Sequence, residues 1–471
     1  FSNKTNHLVL NRSAEEADLI RVRIHQAMLN LVSQEIFPCL PDTIDSAQPS
    51  ETNSTGERKT FLACSGMHYV YRGKDLGFQF SPDEFDYAET QKACMDIHGL
   101  REELEALKQS QPFPAAPDCD KQKQLEVPDS VQDEHKMEPE DSHPTYPNVV
   151  FLGTGSSEPN KIRNQSCIVV QLSKDAVIIL DCGEDSYGQL HRFYGKQKTL
   201  EMLRKVKAIF VSHMHGDHHL GLFSLLKERA KAFAVVDAPF TPVLLMAPIQ
   251  MRRWLKFYHQ ELESVTHLLR FVKHQKNMKE FDDKFNLSLA TFEDVKQDLQ
   301  LNEYRPVEVV HCRNAFGLVF THENGYKVVY SGDTRPCESL VEAGADCDLL
   351  IHEATHEDAL IAHAKASKHS TFSEAMDVGT RMKAKHVILT HFSQRYPHMV
   401  PFFDMDLPHN VGIAFDNMQV CPKTLASLPR LISPLTVLFT DKLQHLEIKR
   451  IKRTREQAEN EEYEAKSQEN R

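Results

Sequence analysis

The 471-residue sequence lacks several patterns that define common protein classes. It contains no run of about 18 apolar residues, which is the length that a membrane-spanning helix needs. Its ten cysteines are scattered, and none forms a C-x-x-C pair. This spacing argues against a cysteine zinc ribbon and gives no disulfide framework. We therefore expect a protein of a reducing compartment that has no membrane partner.

An excess of positive charge is also absent, because the formal net charge is −12 at pH 7. Any RNA binding must then use a local basic surface. The glycine turn at residues 153–155 lacks the G-K-[ST] ending of a P-loop, and it lacks the third glycine of the dinucleotide fingerprint. We do not expect this turn to bind a nucleotide.

The densest group of metal-binding side chains has the form H-x-H-x-D-H and follows the apolar run at residues 208–211. That run predicts a buried strand, so the group lies at the strand's carboxyl end, where ligands gather in layered α/β folds. Three imidazoles and a carboxylate suit borderline metals such as zinc. The four side chains are His213, His215, Asp217 and His218. The alternative is a chance cluster in a chain with 25 histidines.

Three further candidates end strand-like runs downstream, and they are His311, Asp333 and His391. Taken singly, each histidine is more often a structural residue than a ligand. As an ordered set, the strand ends would bring seven ligands to one sheet edge. Seven ligands are too many for one tetrahedral zinc, but they suit two metals that share a bridging carboxylate.

The order of these motifs resembles the metallo-β-lactamase superfamily, and further motifs resemble the long form of tRNase Z, the endonuclease that matures tRNA 3′ ends. Residues 159–164, P-N-K-I-R-N, are similar to that family's P-x-K-x-R-N loop. Residues 352–355 resemble its HEAT motif, and residues 369–371 resemble its HST motif. The matching motifs run from about residue 150 to about residue 396. Generic members of the superfamily lack these three elements.

The resemblance implies an α/β fold of four αββα layers. It also implies that residues 1–107 are the end of a degenerate, non-catalytic amino-terminal copy, with the catalytic domain at residues 147–425. Composition predicts a flexible acidic and proline-rich linker at 108–146 and a charged, helical tail at 426–471. The basic run at 449–455 is expected to be solvated; the alternatives are a tRNA contact and a nuclear import signal.

The family's roles can be carried onto the matching residues. One zinc would take His213, His215 and His311. The other would take Asp217, His218 and His391, with Asp333 bridging. Asp217 would orient or deprotonate the attacking water. His369, paired with Glu353, would protonate the departing 3′ oxygen, which needs a donor because an alkoxide is a poor leaving group.

The resemblance also implies a set of substrate-binding residues, namely Lys161, Arg163, Asn164, Thr371 and Arg395. A lysine and an arginine beside a metal site can meet phosphates, and arginine adds bidentate geometry. Without the resemblance, Lys161 and Arg163 indicate only a solvated loop, and Glu353 an ordinary carboxylate.

The implied activity is that of a zinc-dependent endoribonuclease with two zinc ions. It would remove the 3′ trailer of precursor tRNA by cutting after the discriminator nucleotide with a metal-activated hydroxide, leaving a 3′ hydroxyl. The resemblance further implies a monomer with two halves in one chain, located in the nucleus and mitochondrion. Because the sequence opens at Phe1 without methionine, we expect a chain that starts mid-protein, with the RNA-binding arm in the missing half.

Two alternatives come from other functional classes. The first is a hydrolase of the same fold acting on another phosphodiester or on a thioester. The pair Lys161 and Arg163 argues against a thioester, because that substrate carries no charge for them to meet. The second is a metal-binding scaffold without activity, which has no need for the acid–base set of Asp217, Glu353 and His369.

Hydrophobic patterning gives a coarse secondary structure for the catalytic region. It predicts strands at residues 168–172, 176–180 and 208–211, and helices at 188–193, 219–229 and 249–262. A hairpin with its turn at residues 324–325 is predicted between His311 and Asp333. In the amino-terminal region a strand-like patch lies at 59–72 and a helical pattern at 87–107. The stretch 270–305 has no clear pattern.

Overall fold

The computed structural model describes residues 20–41, 86–109, 146–272, 285, 287–401 and 407–469, together with five short strands between residues 7 and 80. The elements before residue 110 are β1 (His7–Val9), α1 (Ile20–Val32), β2 (Glu51–Thr52), β3 (Thr60–Leu62), β4 (Met67–Val70), β5 (Gly77–Phe80), α2 (Tyr87–Cys94) and α3 (Leu100–Gln109). The helical pattern at 87–107 is therefore two helices, which are separated before Leu100 by Gly99 at φ +84°.

Two sheets follow in the chain after residue 146. The elements that lead into and form the first sheet are β6 (Asn148–Gly153), β7 (Cys167–Gln171), β8 (Val177–Cys182), α4 (Ser186–Lys205), β9 (Val206–Phe210), α5 (Leu222–Ala234), β10 (Val243–Met246), α6 (Met251–Glu261), β11 (Leu269–Val272), β12 (Leu289–Ala290) and α7 (Phe292–Leu299). The strands among these elements and β19 (Met418–Val420) form a sheet of eight strands in the order β12-β11-β10-β9-β8-β7-β6-β19. The strands from β8 to β12 run parallel to one another.

The second sheet has six strands in the order β13-β14-β15-β16-β17-β18. Its elements are β13 (Leu301–Glu308), β14 (Phe316–His322), β15 (Lys327–Tyr330), α8 (Glu338–Ala343), β16 (Leu349–Glu353), α9 (Ile361–Ser367), α10 (Phe372–Met382), β17 (His386–Thr390) and β18 (Val411–Ile413). The chain closes with α11 (Ile432–Leu438) and α12 (Thr440–Glu469). Strands β15 to β18 are parallel, so their carboxyl ends lie at one edge.

Alternation along the strands explains the layers. In β8, Ile178 and Leu180 belong to the core shared with the second sheet, whereas Ile179 packs in the core beneath α4 and α5. Side chains on a strand alternate between its faces, so each strand supplies both cores. Helices α8 and α10 pack together over the outer side of the second sheet. The predicted four-layer αββα arrangement is confirmed.

The predicted strands and helices of the catalytic region are present, although α4 (Ser186–Lys205) extends twelve residues beyond the predicted end at residue 193. The three strands are β7, β8 and β9, and the three helices are α4, α5 and α6. The hairpin of β14 and β15 turns at Gly325, whose φ is +87°. Within the unassigned stretch the structure places β12, α7 and most of β13. Within the described residues, no helix is long and apolar enough to cross a membrane.

The amino-terminal helices pack on the carboxyl-terminal elements. The backbone N–H of Gln419 in β19 donates to the Ile36 carbonyl at 2.8 Å. The hydroxyl of Ser433 in α11 donates to Glu103 of α3 at 2.7 Å. Most of the predicted linker, residues 110–145, lies outside the described residues.

The predicted boundary between catalytic domain and charged tail, at residues 425 and 426, lies within a packed segment of the chain. Residue 426 lies inside the 3₁₀ helix Leu425–Leu431. Beyond it, Leu435 in α11 and Leu443 in α12 are buried in the same core as the second sheet. Apolar side chains at helical spacing continue to this point, so the packed part of the chain reaches at least Leu443 before the charged sequence takes over.

Candidate active site

The ends of β9, β13, β15 and β17 meet at one edge of the two sheets. The structure brings all seven predicted metal ligands together there, namely His213, His215, Asp217, His218, His311, Asp333 and His391. Asp333 lies at the centre. Its Oδ2 is 3.2 Å from Nε2 of His218 and 3.5 Å from Nε2 of His213. Its Oδ1 is 3.3 Å from Nε2 of His391.

The remaining ligands form two groups on either side of Asp333. In the first, Nδ1 of His215 lies 2.9 Å from Nε2 of His213 and 3.1 Å from Nε2 of His311. The second group is centred on Asp217, whose Oδ2 is 3.5 Å from Nε2 of both His218 and His391.

The donor set fits a divalent metal. Nε2 of His218, Oδ1 of Asp333 and Nε2 of His391 are buried and have no hydrogen-bond partner among the residues that the structure describes. A buried polar atom left without a partner costs about 1–3 kcal/mol, so three such atoms at one point fit the binding of a cation. Imidazole nitrogens with carboxylate oxygens are ligands that zinc accepts.

The protonation of the carboxylates agrees with this environment. Burial favours the neutral acid of Asp333, but the surrounding His218, His391 and His213 outweigh it and hold the pKa well below its usual value. The same competition between burial and neighbouring histidines lowers the pKa of Asp217. Both carboxylates are therefore ionised and available as ligands.

A residue that sequence reasoning missed supports the ligands from behind. The carboxylate of Asp181, at the end of β8, accepts hydrogen bonds from the Ser212 backbone N–H at 2.6 Å and from the Tyr330 hydroxyl at 2.6 Å. It also lies 2.7 Å from Nδ1 of His218. Such a partner fixes the tautomer of a metal-binding imidazole and presents Nε2 to the metal. The available signal was an acidic residue after the apolar run at 176–180, the same pattern that marked the ligands.

Loop contacts position Asp217. The backbone N–H of Ser157 donates to its Oδ2 at 2.6 Å. A Cβ added at Gly183 would lie 2.5 Å from the Asp217 carbonyl oxygen, so only glycine lets the two backbones approach this closely. Gln394, also missed, ties the loop to the segment after His391 by donating to the Ser156 carbonyl at 2.7 Å.

The predicted acid–base pair lies beside the metal ligands. Nδ1 of His369 is 3.0 Å from Oε1 of Glu353, which is fully buried. Glu353 also accepts from the Thr334 backbone N–H and the Thr355 hydroxyl, at 2.9 and 2.8 Å. Burial opposes protonation of His369, but the Glu353 carboxylate outweighs it and raises the pKa of His369 to about 9. In this environment His369 carries a proton near neutral pH.

Two of the predicted substrate-binding residues are placed elsewhere. Arg163 is 1% exposed. Its Nε donates to the Tyr396 carbonyl and its Nη1 to the Ala414 carbonyl, both at 3.0 Å, and its guanidinium lies over the rings of Phe392 and Phe415. The guanidinium is therefore occupied inside the protein, and the structure does not place Arg163 where the predicted contact with substrate phosphates could form.

Thr371 is also buried, and it is the N-cap of α10, where its side chain accepts from the Glu374 backbone N–H. The structure therefore does not present the Thr371 side chain for the predicted substrate contact. Asn164 donates its side-chain amide to the Glu184 carbonyl at 2.9 Å. Lys161 and Arg395 are exposed, as a substrate contact requires.

The turn at Asn160 explains why Lys161 and Arg163, two cations of the same loop, differ in solvent exposure. Oδ1 of Asn160 accepts from the backbone N–H groups of Ile162 and Arg163, both at 2.8 Å. This tight turn leaves Lys161 exposed and directs Arg163 into the core.

The ligand cluster opens into a cavity of about 640 Å³. Its lining includes Asp217, Asp333, His369 and His391, with Arg395 at the wall. An attacking water, a scissile bond and a proton donor can therefore meet in one space.

Comparisons with known proteins agree with this geometry. A β-lactamase superfamily domain matches residues 177–392. The chain is 37% identical over 458 residues to zinc phosphodiesterase ELAC protein 2 of Rattus norvegicus. The aligned segment covers 96% of this chain and 51% of that protein. It is 39% identical over 337 residues to mitochondrial ribonuclease Z of Drosophila melanogaster. That alignment covers 70% of this chain and 42% of the Drosophila protein.

The chain spans about half the length of these relatives. Among solved structures, a long-form RNase Z from yeast superimposes with a TM-score of 0.65 at 22% identity, covering 93% of this chain and 63% of that one. That likeness supports the fold. The chain thus has the metallo-β-lactamase fold and, along most of its length, is homologous to the long-form ribonuclease Z proteins.

Proposed function

We propose that this protein is a zinc-dependent endoribonuclease that removes the 3′ trailer of precursor tRNA. It cuts after the discriminator nucleotide and leaves a 3′ hydroxyl on the tRNA. The observation that carries the proposal is the convergence of seven ligand side chains beside the pair Glu353 and His369 in one cavity. The names of the homologues, zinc phosphodiesterase and ribonuclease Z, support the substrate class.

The ligand groups suit two zinc ions. His213, His215 and His311 would hold one, and Asp217, His218 and His391 would hold the other. Asp333 lies between the groups and would hold both ions. When bound, zinc lowers the pKa of a coordinated water and polarises the phosphodiester.

The protein's own residues supply orientation and proton transfer. Asp217, fixed by the Ser157 N–H, accepts a hydrogen bond from the attacking water and aligns it. His369, kept protonated by Glu353, donates its proton to the departing 3′ oxygen. That proton removes the charge that otherwise builds on the leaving alkoxide.

Substrate positioning falls to the exposed cations of the cavity rim. Arg395 lines the cavity, and Lys161 projects from the neighbouring loop. Phosphate contacts of this kind fix register and orientation without reading sequence. Arg163 and Thr371 support this surface from below by holding the loop and α10 in place.

The organisation around the catalytic domain is part of the proposal. Residues 1–107 would be the end of a non-catalytic half, joined by the 108–146 linker, and the protein would act as a monomer. Because two relatives are named as mitochondrial, from Drosophila melanogaster and Arabidopsis thaliana, we assign this protein to the mitochondrion, and also to the nucleus by its resemblance to the long forms.

The direct test is to incubate the zinc-loaded protein with a 3′-extended precursor tRNA and to map the cut and its end chemistry. We expect one cut after the discriminator with a 3′ hydroxyl, abolished in Asp217→Ala. Cleavage elsewhere, or turnover of a thioester in place of RNA, would move the activity to another substrate class. Zinc binding without hydrolysis of either would favour a scaffold.

A further inference from the structure

A second groove lies next to the active-site cavity. It has a volume of about 810 Å³ and runs between α12 and the segment after Gln394. The first four turns of α12 form one wall, with side chains from Asp441 to Arg453. The start of the basic run at 449–455 therefore lies on the wall of this groove. The proposed chemistry makes no use of the basic run.

The charge of the groove contrasts with that of the chain. Among the residues that the structure describes, its lining carries five lysine and arginine side chains, which are Arg395, Lys442, Lys449, Lys452 and Arg453. Two acidic residues, Glu357 and Asp441, also line it, and Glu357 is engaged by Arg453 at 3.0 Å. A local excess of positive charge on a chain of net charge −12 favours an anionic partner.

The groove is continuous with the active site. Gln394 and Arg395 line both spaces. Glu357, in the groove, directly follows His356, which lines the cavity. The ring of His356 lies 6.0 Å from that of His369. An anionic chain leaving the cavity past His369 therefore meets Arg395 and then the lysines of α12.

We propose that this groove binds the phosphodiester backbone of the tRNA body on the 5′ side of the cut. The inference rests on the proposed function, in which His369 protonates the departing 3′ oxygen. That oxygen belongs to the tRNA body, so the body lies on the side of the cavity where the groove begins. Lys442 and Lys449 lie two turns apart, about 10 Å along one face of α12, so they can contact different phosphates of one backbone.

The test compares two double variants with the same change in charge. Lys442→Glu/Lys449→Glu reverses two exposed groove lysines, whereas Lys174→Glu/Lys231→Glu reverses two exposed lysines of the first-sheet side. The probe is a labelled 3′-extended precursor tRNA, titrated at several salt concentrations. We expect the groove variant to raise Kd roughly 10-fold and to lower the salt slope by about 0.7–0.9 for each lost contact. Its kcat at saturating RNA should match that of the control.

A precursor with a single-nucleotide trailer and one with a long trailer separate the two sides of the cut. The groove variant should weaken binding of both equally. An effect confined to the long trailer would overturn the assignment to the tRNA body, and a Kd equal to that of the control would overturn the groove itself. Weaker binding in a protein that cuts no tRNA would retain an RNA-binding groove while the proposed function failed. A normal circular dichroism melt excludes unfolding as the cause.

Discussion

Nδ1 of His218 lies 2.7 Å from Oδ2 of Asp181, and both side chains are fully buried. Asp181 lies at the end of β8 and His218 in the turn after β9, so the contact joins two neighbouring parallel strands at the site edge. The Asp181 carboxylate accepts a hydrogen bond from the Nδ1–H of His218 and leaves Nε2 as the metal-facing atom. A residue outside the ligand set therefore determines how one ligand is presented.

Asp181→Asn should weaken zinc binding while leaving the fold intact. The amide keeps the shape of the side chain, but it removes the negative charge that holds the imidazole tautomer. Loss of such a partner typically costs 10–100-fold in metal affinity, and we expect a fall of about that size. The measurement is zinc competition with a chromophoric chelator. Asp175→Asn, an exposed change in the turn before β8, is the matched control. Equal zinc affinities would show that Asp181 serves packing alone.

His369→Ala separates proton donation from metal binding. His369 contacts Glu353 and lines the cavity, but it is not assigned to either ligand group. We expect cleavage to slow by roughly 10²–10⁴-fold, the usual contribution of one acid–base group, with the zinc content unchanged. Single-turnover cleavage and metal analysis on the same sample measure both quantities. His267→Ala, at an exposed histidine, should behave as the parent protein. If His369→Ala lost zinc, its role as donor would have to be abandoned.

The ligands were predictable because the chemistry is local. His213, Asp217 and His218 are adjacent in sequence, and Asp333 and His391 each end an apolar run, so strand ends in a layered sheet were enough to bring them together. Asp181 has the same sequence pattern, an acid after a strand. What distinguishes it as a support is the position of its side chain behind His218, which depends on the packing of β8 against β9.

The direction in which a loop side chain points could not be predicted from the sequence. Lys161 and Arg163 are two residues apart in one polar loop and were assigned the same role. Their separation depends on the Asn160 turn and on distant carbonyls at Tyr396 and Ala414. Secondary structure could not be assigned to residues 270–305 for another reason. The elements there, such as Phe292–Leu299, are too short to show a periodicity of their own.

Because Arg163 is buried and Lys161 is exposed, the same substitution to methionine should affect different properties at the two positions. Arg163→Met removes a buried guanidinium whose Nη1 donates to the Thr154 hydroxyl, which in turn donates to Asp416, both at 2.5 Å. Removing one partner from a buried charged network costs about 3–5 kcal/mol, and we expect that loss in the free energy of unfolding. Chemical denaturation measures it.

Lys161→Met is the matched control, because Lys161 is exposed. It should leave the free energy of unfolding unchanged and raise the KM for precursor tRNA. Equal stability of the two variants would contradict the structural role of Arg163, and an unchanged KM would remove Lys161 from the substrate surface.

Zinc should stabilise the fold through Asp333. Oδ1 of Asp333 and Nε2 of His218 and His391 are buried, and among the described residues none of these atoms has a hydrogen-bond partner. A ligand that binds only the folded state at 100 times its Kd adds about 2.7 kcal/mol to the free energy of unfolding. We expect a gain of this order with zinc and a much smaller gain with magnesium, which prefers oxygen ligands. In Asp333→Asn the zinc-dependent gain should largely disappear, since the variant loses the anionic oxygen that lies between the two ligand groups. Denaturation curves with and without each metal make the comparison, and an equal gain from zinc in both proteins would place the stabilising metal away from Asp333.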